Sequence, residues 1–482
     1  MAPAIEAELL AQIAASPADA APYLVYADWL QQRGDPRGRL IVIQHARAAD
    51  GLDDDTDEAL HAEAEALLAD HPELRGPEVA LEPPARIDWQ YGYWRRVGIG
   101  SYSWQPDAGA ADAIDTLLAA PSARFLRGLS VWGPLDVAPR FAVARRATLR
   151  QLSLLLGREM ISDEALVELA ECTQLRELEL FSCEHVTSDG LAQLRAMAHL
   201  ERIDLRNCGF DDAGVVALRG LPLRDVAFNA VGSVTATGMR ILAEAPLERL
   251  SLSGSALADD RLAPLAEHRS LHTLEVARAG IDARGARALA SIPALRSLAL
   301  HNGTLTVAGA RELVAARGLR VLDLGHTDQV GDDTLLALGD LGELRALDVA
   351  STDITTHALS LLAARACWPQ LRALDLSFRP LGALGVRLLE RFPNLEQLAL
   401  GWTDIGDDAV DTLLKLPRLE RVDLAAAKLT PAGVARLTAH PTLRTVGLYD
   451  CDNAARVRAE AHAPWSVLAR DSLDLDLARY AT

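Results

Sequence analysis

An apolar triplet spaced Leu-x-x-Leu-x-Leu recurs fourteen times between Leu126 and Leu448, and a chain written this way has little choice of architecture. The triplets open at Leu126, Leu149, Leu175, Leu200, Leu223, Leu247, Leu271, Leu295, Leu319, Leu344, Leu371, Leu395, Leu419 and Leu443, with gaps of 23 to 27 residues and a usual gap of 24. A fixed period in that range describes a solenoid, in which each unit packs on its neighbours and none buries its apolar face alone.

The unit Leu395 to Pro417 reads LEQLALGWTDIGDDAVDTLLKLP. Leu398 and Leu400 alternate with Gln397, Ala399 and Gly401, the pattern of a short strand with its leucines inward. The ninth position holds Thr403 here and Cys183, Cys208, Ser255, Thr327, Thr352 and Cys451 elsewhere, small groups that can bond backbone where the chain bends. This is a structural ladder, not a catalytic row. An aliphatic residue such as Ile281, Ile354, Ile405 or Leu429 follows, then a helix start, clearest at Thr430-Pro431 with Thr as N-cap and Pro in the first turn. A glycine recurs fourteen or fifteen residues after the opening leucine, at Gly190, Gly214, Gly238, Gly285, Gly309, Gly385 and Gly433, where adjacent coils are expected to approach too closely for a side chain.

These repeats resemble the leucine-rich repeat family, in its variant with a short convex helix, similar to the ribonuclease-inhibitor and cysteine-containing types. The resemblance covers about two thirds of the chain. It implies an α/β horseshoe of about fourteen repeats of ~24 residues, with a parallel concave sheet and short convex helices, over residues 125–451. Such a surface suits a protein partner.

A formal charge of -19 opposes nucleic acid and anionic membrane surfaces and favours a basic protein partner at low salt. Of the five cysteines, three fall on the ladder position and two, Cys172 and Cys367, on the helix side, which is neither a disulfide framework nor a zinc pattern. With no basic leader and no apolar run of 18 or more residues, the reading is a soluble cytoplasmic protein, a monomer without cofactor. No Gly-x-Ser-x-Gly, phosphate loop, His-Glu-x-x-His or Cys-x-x-Cys occurs, so no catalysis is expected. His301 and His326 lie near one edge of neighbouring repeats, but two imidazoles lack a third ligand.

Residues 1–76 read as an all-α domain, with helices expected over 4–14, from Pro22 to Gly34, from Leu40 to about Arg47 and from about Glu58 to Ala69. The second helix should bury Leu24, Tyr26, Ala27 and Leu30, and Asp53 to Asp57 should form an acidic loop. The segment PYLVYADWLQQRGDPRGRLIVIQ resembles the repeat-companion domain that precedes leucine-rich repeats in bacterial proteins of myxobacterial and planctomycete type. That resemblance implies architecture and carries no activity. Its polar residues read as caps and ion pairs; the alternative is a pocket of Asp28, Trp29, Asp35 and Arg37 for a small ligand or peptide. Residues 77–124 contain ARIDWQYGYWRRVGIGSYSWQ, expected as strands capping the first coil or as an exposed aromatic patch. Residues 452–482 offer a helix near Ala454 to His462 and an apolar piece at Trp465 to Leu468, expected to seal the last coil.

For binding, the fifth position of each repeat is often acidic, with Asp323, Asp348 and Asp375 consecutive and the arginines Arg320, Arg345 and Arg372 available to compensate. On the strand-to-turn edge stand Trp132 and Phe181 early and Phe378, Trp402 and Tyr449 late, with Arg379 and Asp450 beside them. The expected function is a non-catalytic scaffold binding a protein partner on the concave surface through these late residues. The other readings are a ligand sensor or enzyme with its site in the helical domain or at its junction with the repeats, and a self-assembling structural protein.

Overall fold

The computed structural model describes residues 2–49, 51–77, 84–100, 110–133, 148–155, 161–181, 184–207, 210–229, 234–253, 259–451, 466–468 and 475–481. The chain forms two compact units, Met1–Ala227 and Phe228–Thr482.

The first unit begins with helices α1 (Ala2–Ala15), α2 (Ala20–Gln31), α3 (Pro36–Arg47), α4 (Asp54–Asp70) and the single turn α5 (Pro72–Arg75). Three aspartates start them. Asp19 accepts the Ala21 N–H, Asp35 the Arg37 N–H and Asp53 the Thr56 N–H. The acidic run expected as a loop therefore opens α4, because its carboxylates complement the positive end of the helix. Likewise α3 starts at Pro36 rather than Leu40: Asp35-Pro36 is a cap followed by a first-turn proline. On α2 the buried face is Tyr23, Tyr26, Ala27 and Leu30, with Leu24 only half-buried in the place the pattern assigned it. These side chains join Leu10, Ile13 and Ile41 and continue into Tyr93 and Phe125, so the bundle shares one core with the first coils.

The aromatic stretch is a hairpin. Strand β1 (Arg86–Gln90) runs antiparallel to β2 (Tyr93–Gly100) through a two-residue turn in which Tyr91 and Gly92 both take positive φ, 48° and 75°. From β2 the sheet continues in parallel through Gly128–Trp132, Gln151–Leu155, Glu177–Phe181 and Arg202–Arg206 in unbroken register. The hairpin thus covers the edge that the first repeat would otherwise expose.

The second unit is a leucine-rich repeat solenoid. Its strands from Arg249–Ser253 to Thr445–Gly447 pair in parallel, with Leu298, Leu322, Leu347, Leu374 and Leu398 in one buried column. On the other side a Thr or Asp caps a short helix in several repeats, as at Asp282, Thr306, Thr355 and Thr430. Neighbouring helix starts are clamped: Asp332 accepts the Thr355 N–H and O–H at 2.6 and 2.7 Å, and Asp407 serves Thr430 in the same way. At two of the recurring glycines the space is taken by that carboxylate: a Cβ on Gly433 would lie 2.0 Å from Asp407 Oδ1, and one on Gly190 in the first unit 2.1 Å from Asp163 Oδ1; at Gly214, Gly309 and Gly385 it would meet Phe210, the Asp282 carbonyl and Thr356.

The ladder position behaves as its chemistry suggests. Thr327 donates to the Leu300 carbonyl at 2.9 Å and Cys451 to that of Leu424 at 3.0 Å, one coil back, while Thr352 and Thr403 bond carbonyls of their own coil. Gly303 takes this position in its repeat, where a Cβ would stand 2.3 Å from the Ala279 carbonyl oxygen.

Beyond the last repeat, Ser466–Leu468 adds a parallel strand to Thr445–Gly447. The helix expected at 454–462 lies outside the described residues. Residues 475–481 do not seal the last coil. They lie several repeats back, on the outer face of the sheet, where Tyr480 packs on Val321, Ala346 and Ala373 and gives those small apolar side chains the cover that their own coils do not supply.

Substituting Gly303→Ala forces a side chain against backbone and is expected to cost about 2–4 kcal/mol in urea unfolding, whereas Gly342→Ala, with open space around it, should stay within about 0.5 kcal/mol of the parent.

Candidate functional site

Position five of the late repeats places Asp323, Asp348 and Asp375 side by side on paired strands. Each carboxylate is engaged locally, accepting the backbone N–H two residues on, from Gly325, Ala350 and Ser377, all at 2.8 Å. The aspartate ends the strand and begins the bend. Burial, followed by repulsion from Asp375 and Asp323, pushes the Asp348 carboxyl up to about 8, and burial raises Asp375 as well.

The compensation comes from an unexpected side chain. Arg372 pairs with Glu396 at 3.1 Å, and Arg320 donates to the Ala481 carbonyl at 3.4 Å. His301 instead stands at the end of the acidic row, with Nε2 3.2 Å from Glu275 and Nδ1 3.7 Å from Asp323. Hydrogen bonds to Asp323 and then Glu275 raise it to about 10, so it is a cation at neutral pH. His326 is on the turn, facing Phe378 at 6.2 Å. Among the described residues no group of three or more His, Cys, Asp or Glu side chains is placed to hold a metal ion.

Beside the acidic row, the segment 475–481 occupies the outer face over position three. Asp476 N–H donates to Gln397 Oε1 at 3.0 Å and the Tyr480 hydroxyl to Glu396 at 3.1 Å, while Arg479 lies 4.0 Å from Glu396 and 3.8 Å from Glu420. Gln397 is fully buried beneath it. This part of the face is closed to a partner by the chain itself.

The rim is open. Position eight adopts positive φ at Arg278, Asn302, His326, Ser351, Phe378, Trp402, Ala426 and Asp450, a conformation that lets the turn close and throws the side chain outward. Asn302, and Asn207 in the first unit, are the usual occupants, since asparagine tolerates it. Phe378 and Trp402 are bulky rings held in it. They stack with centroids 6.0 Å apart and planes 5° from parallel, and they remain 52% and 43% exposed. Tyr449 and Asp450 are exposed two repeats on. The strand-to-turn edge read from the sequence is this rim, and the positive φ of position eight is the feature that the leucine spacing does not show.

Arg379 lies under the rim. It occupies the ladder position of its repeat, nearly fully buried, and donates to the carbonyls of Ile354 and Val349 and to Thr352 Oγ1. Val349 is the counterpart of Leu300 and Leu424, so the guanidinium replaces the ladder hydroxyl as donor. Burial lowers it to about 10, and it stays charged.

In the helical domain the four candidate pocket residues are not brought together. Asp28 is exposed, Asp35 caps α3, and Trp29 stacks on Tyr26 with Arg33 3.8 Å above its ring. Arg37 is buried, donates to the Gly92 carbonyl and to Ser122 Oγ, and covers the Tyr93 ring at 4.7 Å. It locks the bundle to the hairpin.

Comparison with known proteins gives three findings. Residues 196–218 match the family described as Leucine Rich repeat. Podocan-like protein 1 of Homo sapiens is 30% identical over 213 residues, 43% of this chain, and the chain spans 40% of that relative's length. Among solved structures, an internalin of Listeria monocytogenes is similar with a TM-score of 0.44 at 18% identity, covering 70% of this chain and 96% of that one. A leucine-rich repeat protein of Leptospira interrogans gives 0.43 at 15% identity, covering 72% and 91%.

Two measurements test the electrostatics. The raised Asp348 makes the folded state bind more protons than the unfolded between about 4 and 8, so stability falls as pH rises through that window; the His301 contribution is complete below about 6.5 and fades through about 10, in the same direction. Asp348→Asn keeps the acceptor for Ala350 and is expected to raise Tm by roughly 3–6 °C at pH 8.5, with little gain at pH 4. Arg379→Ala takes the side-chain donor from the buried Ile354 carbonyl, while Thr352 still serves Val349, and should cost about 1–3 kcal/mol in denaturant unfolding.

Proposed function

We propose that this leucine-rich repeat chain is a non-catalytic scaffold that holds a protein partner on the exposed rim of its late repeats. The observation carrying this reading is the stacked pair Phe378 and Trp402, two apolar rings kept in a left-handed backbone conformation and in solvent where the other late repeats hold Arg278, Asn302, His326, Ser351, Ala426 and Asp450. Exposed aromatic clusters supply most of the energy of protein interfaces. Tyr449 and Asp450 extend the contact, and the chain's net charge of -19 gives the surface a negative field. A basic partner fits, its arginine placed over the Trp402 ring. Arg379 acts only from beneath, by fixing the turn that presents Phe378.

The helical domain, in this reading, is a repeat-companion domain of bacterial type that closes the first coil. Arg37 and Asp35, spent on packing and capping, support that role over a ligand pocket. The reading includes a monomer acting in the cytoplasm; among the described residues no helix is long and apolar enough to cross a membrane.

The test replaces both rings. Phe378→Ser, Trp402→Ser should abolish retention of the partner from source lysate, identified by mass spectrometry, while Tm stays within about 2 °C of the parent, since Ser351 already occupies this turn position in a neighbouring repeat. A partner retained equally by a folded variant overturns the rim as the site.

A further inference from the structure

One column of the first unit runs through four successive arginines. Along four consecutive strands one backbone-paired position holds arginine: Arg95 within β2, and Arg127, Arg150 and Arg176 immediately before the strands that open at Gly128, Gln151 and Glu177. Their backbones are linked in series, Arg127 N–H to the Arg95 carbonyl, Arg150 N–H to Arg127 and Arg176 N–H to Arg150, at 2.8–2.9 Å. Neighbouring strands lie ~4.8 Å apart, so the column stacks like charges at close quarters. Arg96 adds a fifth. The run stops at Glu201, which bonds to the Arg176 carbonyl and pairs with its guanidinium at 2.8 Å.

The five arginines line a cavity of about 470 Å³, closed on one side by the turn from Ala15 to Asp19 between α1 and α2. Its two carboxylates are already engaged: Asp19 caps α2, and Glu177 accepts the Gln151 amide at 2.7 Å. Among the described residues no ion pair neutralises Arg95, Arg96 or Arg127. Burial and then its arginine neighbours lower Arg127, and the same two causes lower Arg150. Such a concentration of positive charge stands out in a chain of net charge -19.

The second unit shows what an arginine column of this kind takes. There Arg296, Arg320, Arg345 and Arg372 occupy the same place on four consecutive strands, and Arg320 holds a carbonyl oxygen of the segment 475–481. The column of the first unit has the donors and an open volume in place of that segment.

We infer that the cavity lined by Arg95, Arg96, Arg127, Arg150 and Arg176 is an anion-binding site for a small molecule carrying more than one phosphoryl group. Planar guanidiniums stacked along strands offer paired N–H donors that match phosphoryl oxygens bidentately, and several charges need a ligand with several. The volume suits a small ligand rather than a helix or a duplex. The site is separate from the rim of the late repeats and does not depend on a partner there.

The test uses the full chain with sodium tripolyphosphate, followed by titration calorimetry and thermal shift, with sodium chloride at matched ionic strength and citrate as comparisons. Tripolyphosphate should bind in the micromolar range and raise Tm, and Arg127→Gln, Arg150→Gln should weaken it at least ~10-fold. Arg95→Gln, Arg96→Gln, on an exposed part of the hairpin, should weaken it similarly should the first variant fold poorly. Arg387→Gln, Arg391→Gln, the same charge change in the second unit, should leave it unchanged. Equal effects of matched chloride, or equal binding by both hairpin and control variants, overturn the site; citrate binding as tightly as tripolyphosphate overturns the phosphoryl class.

Discussion

The bend at the end of each strand is the constraint on which the rest of this structure depends. Parallel strands in unbroken register require every coil to reverse within a few residues, and the backbone groups freed there must find partners. Four positions provide them in the late repeats. An aspartate or its equivalent closes the strand end, a residue of positive φ turns the chain, a hydroxyl, thiol or guanidinium ties the turn to a carbonyl, and an aliphatic residue anchors it in the core. Arg379 illustrates how rigid the requirement is. A residue of quite different size performs the bonding of a threonine, reaching the Val349 carbonyl one coil back and the Ile354 carbonyl as well.

Repetition then turns single residues into columns. A charged side chain at one position of one coil is ordinary, but the same choice in successive coils stacks charge at strand spacing. The molecule answers this in three ways. His301 neutralises the end of the aspartate row, Glu201 and Glu396 terminate arginine columns, and the segment 475–481 lies against the second of these. Surface chemistry in such a fold is therefore organised by column more than by local sequence, and residues far apart in the chain act as one patch.

The solenoid was legible because its signal is periodic: the leucines, the ladder and the glycine beneath the helix all repeat, and each has one physical cause. The start of α3 was missed by a reading that began it at Leu40, although Asp35-Pro36 carries the same grammar as Thr430-Pro431. Less visible was whatever depends on one contact. Nothing in the spacing of Phe378 and Arg379 says that one faces solvent and the other is buried; that follows from positive φ at the first, which swings neighbouring side chains to opposite sides. The fate of residues 475–481 was invisible as well. Tyr480 has no pattern around it, and its destination is set by a patch formed from three coils, Val321, Ala346 and Ala373.

That last contact alters how the second unit comes apart. A pure solenoid is one-dimensional: each coil knows only its neighbours, and fraying from an end proceeds coil by coil. Here a bond joins Arg320 to Ala481, residues 161 apart in sequence, and others bind the same segment to Glu396 and Gln397. The coils between are enclosed in a loop. None of them can open fully while that closure holds, and losing it releases all of them from the same restraint, so the late repeats are wired to yield together as a block.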